Sequence, residues 1–233
     1  MEKFLLSALV TGAIFTNAQA QIATGTTMMG GNLNYWGPTS KNDNNQAGYS
    51  STTKNKQFEI SPIVGRFIAE NLAIGIDARF SFSKTNSHYP IFSSNYTFAG
   101  EYYEQIQKGR SINVGPIIRY YKFVSEKAAF YGQFSGGYTN NYISSYTSAF
   151  SNEGIYTPST SGSTRSEGFY GQVSPGFVFF PINKLGLELY LPGLSYNRLI
   201  DKTDDSKRVD ASLGANFGLR YLQMGAFFYL GRS

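Results

Sequence analysis

Hydrophobic and polar residues alternate strictly along residues 72–83. The even positions are all apolar, from Leu72 to Phe82, whereas the odd positions include Asp77 and Arg79. Successive side chains of a β-strand point to opposite faces, so a period of two predicts a strand. The segment is long for a globular protein but matches a strand that crosses a bilayer at a tilt. An uncharged face backed by a charged one predicts a wall strand of a transmembrane β-barrel.

The same alternation recurs along the chain and predicts eight strands in all. The other seven lie near residues 28–35, 57–65, 111–120, 130–139, 169–179, 185–191 and 209–230. Long polar stretches at residues 37–56, 84–109 and 141–166 alternate with short turns. Outer-membrane barrels alternate extracellular loops and periplasmic turns in this way. The predicted fold is therefore all-β, a transmembrane antiparallel up-and-down β-barrel.

The last strand contains a change of phase. Its apolar residues occupy odd positions up to Leu219 and even positions from Leu222 onward. Either a bulge at Tyr221-Leu222 or a ninth strand would produce this change. Because bacterial single-chain barrels have an even number of strands, a bulge and eight strands are the favoured interpretation.

The N-terminal residues are typical of a secretory signal. Lys3 supplies a positive charge, residues 4–15 are largely apolar, and Ala18-Gln19-Ala20 forms a small-x-small cleavage motif. The apolar run is shorter than the roughly 20 residues of a spanning helix, which disfavours the alternative of an uncleaved anchor. We predict a cleaved signal peptide at residues 1–20 and one outer-membrane barrel domain at residues 21–233.

Composition narrows the possible functions. Hydrophobic residues make up only 41% of the chain, as expected when only half of the strand positions face lipid. The absence of Cys excludes disulfides, thiol catalysis and thiolate metal sites. The net charge of +5 is scattered without a Lys/Arg run, which argues against nucleic-acid binding.

Charged residues occur on the face of the strands predicted to line the lumen. Three acidic and three basic side chains fall on this face, namely Glu59, Asp77, Glu188, Arg79, Arg119 and Arg220. Carboxylates can serve as acids or bases, but opposite charges inside a narrow barrel typically neutralise one another. We expect a structural charge network. An eight-stranded lumen is narrow enough to be filled by side chains, here also by Tyr131, Tyr170, Tyr190, Gln133 and Gln172.

The sequence does not predict an enzyme. The single histidine, His88, falls in a long polar stretch, away from the strands that would hold a catalytic partner. We therefore predict no catalytic residues, no cofactor and no metal site. Aromatic residues at the expected strand ends predict interface belts, formed by Tyr35, Trp36, Phe82, Tyr120, Tyr121, Phe179 and Phe180.

The end of the chain contains a Gly-x-x-apolar-x-apolar pattern, formed by Gly225, Phe228 and Leu230. With the strand pattern, it makes the chain resemble the small OmpA/OmpX-type outer-membrane β-barrel proteins of the porin superfamily, in particular the single-domain barrels of Bacteroidota-like bacteria. The resemblance implies location in the outer membrane of a Gram-negative bacterium, contact with its lipid and lipopolysaccharide, and recognition of the C-terminal pattern by the barrel assembly machinery. The chain departs from the family pattern in its last residues, Gly231-Arg232-Ser233, which replace a terminal aromatic residue.

Three classes of function remain open. The first is a structural or surface-interaction barrel whose three long extracellular loops, rich in Ser, Thr, Asn and Tyr, bind a partner of unknown identity. The second is a narrow channel or transporter for small or hydrophobic compounds. The third is a soluble secreted β-barrel that binds a ligand, with its charged face in water.

Overall fold

The computed structural model describes residues 21–44, 49–92, 98–150, 156–203 and 208–232. The predicted signal peptide, residues 1–20, lies outside the described residues. A 3-10 helix spans Leu219–Tyr221, and eleven strands form one sheet. The strands are β1 Thr27–Trp36, β2 Thr39–Asn44, β3 Tyr49–Ala69, β4 Leu72–Phe92, β5 Phe98–Ser125, β6 Ala128–Phe150, β7 Tyr156–Ile182, β8 Leu185–Tyr190, β9 Gly193–Asp201, β10 Val209–Asn216 and β11 Gln223–Leu230. Across these ranges, no helix is long and apolar enough to cross a membrane.

The sheet closes on itself as a ring of eight strands. Pairing runs through β8, β11, β1, β3, β4, β5, β6 and β7, and β7 pairs again with β8. β2 continues β1, because Trp36 opposite Gln57 and Thr39 opposite Lys54 belong to one register along β3. In the same way, β9 continues β8, because both pair with β7. β10 comes directly before β11 in the chain. The prediction of an all-β antiparallel barrel with eight strands is confirmed.

The alternation of side chains matches the sequence pattern. In β4, Ile76 is 62% exposed on the outer face, whereas its neighbour Asp77 is 2% exposed inside the barrel. Apolar residues form an exposed outer band around the ring, and the interior is polar and aromatic. Members of the band include Met29, Leu33, Val64, Ile74, Ile118, Phe134, Phe169, Val173, Leu187 and Phe228.

The two ends of the barrel differ. The short-turn end carries the two-residue turns Glu70-Asn71, Glu126-Lys127 and Asn183-Lys184. Asn71 has a φ of 62°, a conformation that Asn tolerates better than most residues. The Asn71 Oδ1 accepts a hydrogen bond of 2.9 Å from the backbone N–H of Ile22, which fixes the chain entry beside the turn. At the opposite, long-hairpin end, paired strands extend well past the apolar band.

The three long polar stretches are mostly strand, so their prediction as loops is wrong. β4 and β5 stay paired up to Phe92 opposite Phe98, and β6 and β7 up to Phe150 opposite Tyr156. Residues 37–56 likewise belong largely to the β2–β3 hairpin. Both faces of these extensions are mostly polar, so the period of two disappears from the sequence although the hydrogen-bond ladder continues.

The phase change in the last strand is an excursion and not a bulge. β10 ends with Asn216 opposite Gly193, and β11 begins with Gln223 opposite Tyr190. The chain advances seven residues from Asn216 to Gln223, whereas the facing segment advances only three, from Tyr190 to Gly193. The 3-10 helix lies within the four additional residues. One extra residue instead separates β8 from β9, since four steps from Tyr190 to Leu194 face three from Gly176 to Val173, and Gly193 there has a φ of +67° that few other residues would adopt.

Candidate functional site

A buried ion pair closes the lower half of the lumen, nearer the short-turn end. Arg119 on β5 donates to both carboxylate oxygens of Glu188 on β8, at 2.8 and 3.0 Å from Nη1. Its Nε and Nη2 donate to Oε1 of Gln133 on β6, at 2.8 and 2.6 Å. Both charged side chains are at most 1% exposed. This geometry links three strands across the lumen.

Two tyrosines add a second hydrogen bond to each carboxylate oxygen of Glu188. The hydroxyls of Tyr131 and Tyr229 donate to its two carboxylate oxygens at 2.8 and 2.9 Å. The Arg119 guanidinium also lies 4.3 Å from the ring centre of Tyr131 and 4.8 Å from that of Phe227. Hydrogen bonding on all sides makes this buried pair acceptable in a low-dielectric interior.

Aromatic rings fill the lumen between this pair and the short-turn end. Tyr121 lies 5.5 Å from Phe67, and Phe180 lies 5.1 Å from Tyr229, measured between ring centres. The prediction that Tyr121 and Phe180 belong to the interface belts is wrong, since they are 0% and 1% exposed inside the barrel. Each follows an outward-facing aromatic residue, and the alternation turns it inward. The other predicted belt residues are exposed, namely Tyr35, Trp36, Phe82, Tyr120 and Phe179.

We call this assembly of Arg119, Glu188 and the surrounding aromatic rings the plug. Tyr229 was not identified from the sequence as a member of the plug. The alternation in β11 could have identified it, because it turns the odd-numbered residues of this strand inward. The Arg232 guanidinium caps the plug at the short-turn end, 3.6 Å above the ring centre of Phe180.

The other predicted charges lie higher in the lumen. Arg79 Nη1 donates to Gln172 Oε1 at 3.0 Å, and its Nε lies 3.8 Å from Glu59 Oε1. Tyr170 donates its hydroxyl proton to Asp77 Oδ1 at 2.9 Å. The structure thus divides the predicted network into two levels, one at the plug and one above it. The side chain of Arg220 lies outside the described residues, and its backbone belongs to the 3-10 helix.

A polar cavity of about 280 Å³ lies above the plug. It shares Glu59, Pro192 and Gln223 with a second cavity of about 430 Å³, at whose rim Trp36 and Tyr221 lie. We call the two together the vestibule. Two buried polar atoms along it, Arg79 Nε and Gln223 Oε1, have no hydrogen-bond partner among the described residues.

The vestibule reaches the side of the barrel because the wall is incomplete there. Pairing between β1 and β11 ends at Leu33 opposite Met224. Beyond that point, in the described ranges, β2 pairs only with β3 and β10 only with β9. The excursion at residues 217–222 holds the upper part of the last strand away from the first. The result is a lateral opening between β1 and β10. In the sequence, the only indication of it is the phase change at Tyr221-Leu222.

The paired extensions at the long-hairpin end carry two shallow grooves on their outer face. The larger, about 520 Å³, is lined by Ile106, Lys108, Tyr142, Ser144, Tyr146 and Ser163 among others. The smaller, about 490 Å³, includes Lys41, Lys54, His88, Tyr102 and Glu104. His88 lies on strand β4 and not in a loop as predicted, and its ring centre is 5.0 Å from that of Tyr102. In the described part of the chain, no three His, Asp or Glu side chains converge in a way that could hold a metal.

The predicted assembly pattern lies at the closing seam. Phe228 and Leu230 point outward from β11 and are 53% and 48% exposed. Gly225 faces inward against the side chain of Asn32, where a Cβ atom would collide with the Asn32 Oδ1. The register explains why a glycine is needed here, but recognition of the pattern by the assembly machinery remains a prediction.

Comparisons with known proteins give matches among solved structures only. No protein-family model matches the chain, and no curated protein matches it by sequence. Among solved structures, Ail from Yersinia pestis, in complex with the heparin analogue sucrose octasulfate, is 16% identical, with 89% of this chain and 99% of that chain covered and a TM-score of 0.32. The outer membrane protein OprG from Pseudomonas aeruginosa is 12% identical, with 91% and 98% covered and a TM-score of 0.35. The strand pairing itself shows that the chain forms an eight-stranded antiparallel β-barrel.

Proposed function

We propose that this protein is a non-catalytic outer-membrane β-barrel of a Gram-negative bacterium that presents its long hairpins as a binding surface. The outer face carries an apolar band, whereas Asp77, Arg119 and Glu188 are buried inside. A soluble barrel would bury the apolar side chains and expose the charged ones. Short turns then face the periplasm and long hairpins face the exterior.

The observation that carries the proposal is the contrast between a closed lumen and extended hairpins. The plug fills the interior at the short-turn end, so a wide aqueous pore is disfavoured. The hairpins, in contrast, remain paired far beyond the apolar band, at Phe92 opposite Phe98 and Phe150 opposite Tyr156. A paired ladder holds a surface in place at a lower entropic cost than a loop would. Tyrosine and serine in the larger groove supply contact area and adaptable hydrogen bonding.

Shortening one hairpin at a time tests this proposal. Residues 86–106 of the β4–β5 hairpin are replaced by Asn-Gly, which can connect the paired residues Thr85 and Gln107 by a tight turn. Residues 145–162 of the β6–β7 hairpin are replaced in the same way between Ser144 and Ser163. Because the wall and the plug carry stability, both variants are expected to insert and to keep heat-modifiable migration.

Cells that display each variant are compared with parent cells for adhesion to immobilised polysaccharide, to protein-coated plastic and to one another. We expect at least one truncation to reduce one of these adhesions about tenfold, the effect of removing about 1.4 kcal/mol of binding free energy. If both truncated barrels insert correctly and every adhesion stays at the parent level, the hairpins are not a binding surface for these partners.

The lateral opening supports a second candidate function, the uptake of a small amphipathic molecule into the vestibule. The polar head would lie near Arg79 and Gln223, each of which has a buried atom without a hydrogen bond among the described residues, and the apolar part would lie between Trp36 and Tyr221. Cavities of a few hundred Å³ with an apolar rim and a few polar groups are typical of small-molecule sites.

Trp36 is the only tryptophan and provides a direct probe of this site. In phosphatidylcholine vesicles, we expect decanoate to change Trp36 emission saturably. An Arg79→Gln variant should bind decanoate about tenfold more weakly, consistent with loss of a charge-assisted hydrogen bond. An emission change that rises linearly with decanoate and is unaffected by Arg79→Gln would exclude the vestibule as a binding site.

A further inference from the structure

A row of three lysines crosses neighbouring strands on the outer face of the barrel. Lys56 on β3 lies opposite Lys84 on β4, and Lys84 lies opposite Lys108 on β5. All three side chains are exposed. Strands are about 4.8 Å apart, so the row places three positive charges along about 10 Å of surface. Like charges directly opposite one another destabilise a sheet.

The lysine row occupies the upper boundary of the apolar band. The preceding outward positions on the same strands are Phe58 and Phe82, which lie opposite each other. On the neighbouring strand β5, Arg110 lies opposite Phe82, and its guanidinium carbon is 4.7 Å from the ring centre of Tyr142. On β3 and β4 the outward series thus changes from aromatic to cationic at the lysines, and on β5 it changes one outward position lower, between Ile112 and Arg110.

The described residues supply no counter-charge for this row. Among the described residues, none of the three lysines forms an ion pair within 4.0 Å. The first acidic side chain beyond Lys108 on this outer face is Glu104, which lies opposite His88. A row of repelling cations at this level therefore calls for an external anion.

We propose that the lysine row binds the phosphate groups of an anionic glycolipid of the outer leaflet, the lipid A portion of lipopolysaccharide. This inference rests on the outer-membrane placement proposed above and not on the function of the hairpins. Acyl chains would pack against the apolar band below Phe58 and Phe82, and the phosphates would lie at the level of the lysines. Lysine binds phosphate as a mobile point charge, and a headgroup with two phosphates can contact neighbouring cations of the row.

Binding to lipid A tests the proposal in purified, detergent-folded protein. The test variant is Lys56→Gln, Lys84→Gln and Lys108→Gln combined. The matched control combines Lys122→Gln, Lys127→Gln and Lys184→Gln, which removes the same charge at the short-turn end. Diphosphorylated lipid A, monophosphorylated lipid A, phosphatidylglycerol and inorganic phosphate are titrated in parallel, and bound lipid is counted by native mass spectrometry.

The test variant should bind diphosphorylated lipid A about 100-fold more weakly than the parent, since each cation beside an anionic lipid surface contributes a factor of about five. The control should stay within about twofold of the parent, monophosphorylated lipid A should bind the parent more weakly, and inorganic phosphate should not be retained. Equal binding by parent and test variant would overturn the proposal, as would equal losses in both variants. Tighter binding of phosphatidylglycerol than of lipid A would assign the row to phospholipid instead and also overturn it.

A stability measurement separates this site from a structural role of the lysines. In phosphatidylcholine vesicles, Lys84→Gln should unfold at the same or a higher denaturant concentration than the parent, because it relieves repulsion between like charges. In vesicles that contain lipid A, the same variant should unfold at a lower concentration than the parent. Loss of stability in both kinds of vesicle would contradict the proposal while leaving the outer-membrane barrel intact.

Discussion

Replacing Glu188 with Leu is expected to lower the free energy of unfolding by about 3–5 kcal/mol, the range for breaking a buried ion pair by removing one partner. The substitution leaves the Arg119 guanidinium buried without its carboxylate, and it removes the acceptor for the hydroxyls of Tyr131 and Tyr229. Reversible denaturant unfolding in lipid vesicles would measure the change, with tryptophan emission and heat-modifiable migration as independent readings.

The double variant Arg119→Leu and Glu188→Leu is the matched control. Replacing both charges with apolar groups removes the unpaired charge, so this variant should recover much of the stability lost by the single one. The parent should also give no steady conductance in planar bilayers, because the plug fills the lumen. Equal stability of parent and single variant, or large steady conductance of the parent, would show that the ion pair does not close the barrel as described.

The sequence was sufficient to locate the wall of the barrel. One face of each wall strand is apolar and the other is polar or aromatic, so the period of two records which way each side chain points. Ile76 and Asp77 illustrate this, with exposures of 62% and 2%. The inward position of Arg119 and Glu188 followed from the same rule.

The pattern could not predict the extensions or the break in the last strand. Beyond the apolar band both faces are mostly polar, so the ends of strands such as β4 and β5 show no hydrophobic period. The phase change at Tyr221-Leu222 was visible, but a bulge and a longer excursion shift the alternation in the same way. Register against β8 distinguishes the two, and register is a property of pairs of strands.

The same limit applies to contacts across the barrel. Arg119 and Glu188 are 69 residues apart in the chain, and only the closure of the ring brings them within 2.8 Å. Tyr121 was predicted for an interface belt from its place near a strand end, but the alternation that turns Tyr120 outward turns Tyr121 inward. The lysine row likewise needed the register of β3, β4 and β5, since its members come from three separate segments.

An Ile76→Arg substitution is expected to lower the free energy of unfolding in a bilayer by about 2–4 kcal/mol, the range for arginine on the lipid face near the midplane. Ile76 lies in the middle of the outward series of β4, between Ile74 and Ala78, and its side chain is 62% exposed on the outer face. No carboxylate on this face is available to pair with a guanidinium in the adjacent described positions, which are Val64 and Pro116.

Ser161→Arg provides the matched control for this second prediction. Ser161 is exposed on the outer face of β7, opposite Tyr146 and well above the apolar band, so an arginine there should remain in water and change stability little. Both variants are refolded into phosphatidylcholine vesicles and unfolded with urea, and each is compared with the parent. The difference between them isolates the cost of placing a cation in hydrocarbon from the cost of the larger side chain. If Ile76→Arg and Ser161→Arg were equally stable, the band around Ile76 would lie in water, and the outer-membrane assignment would have to be abandoned together with the lipid A site that depends on it.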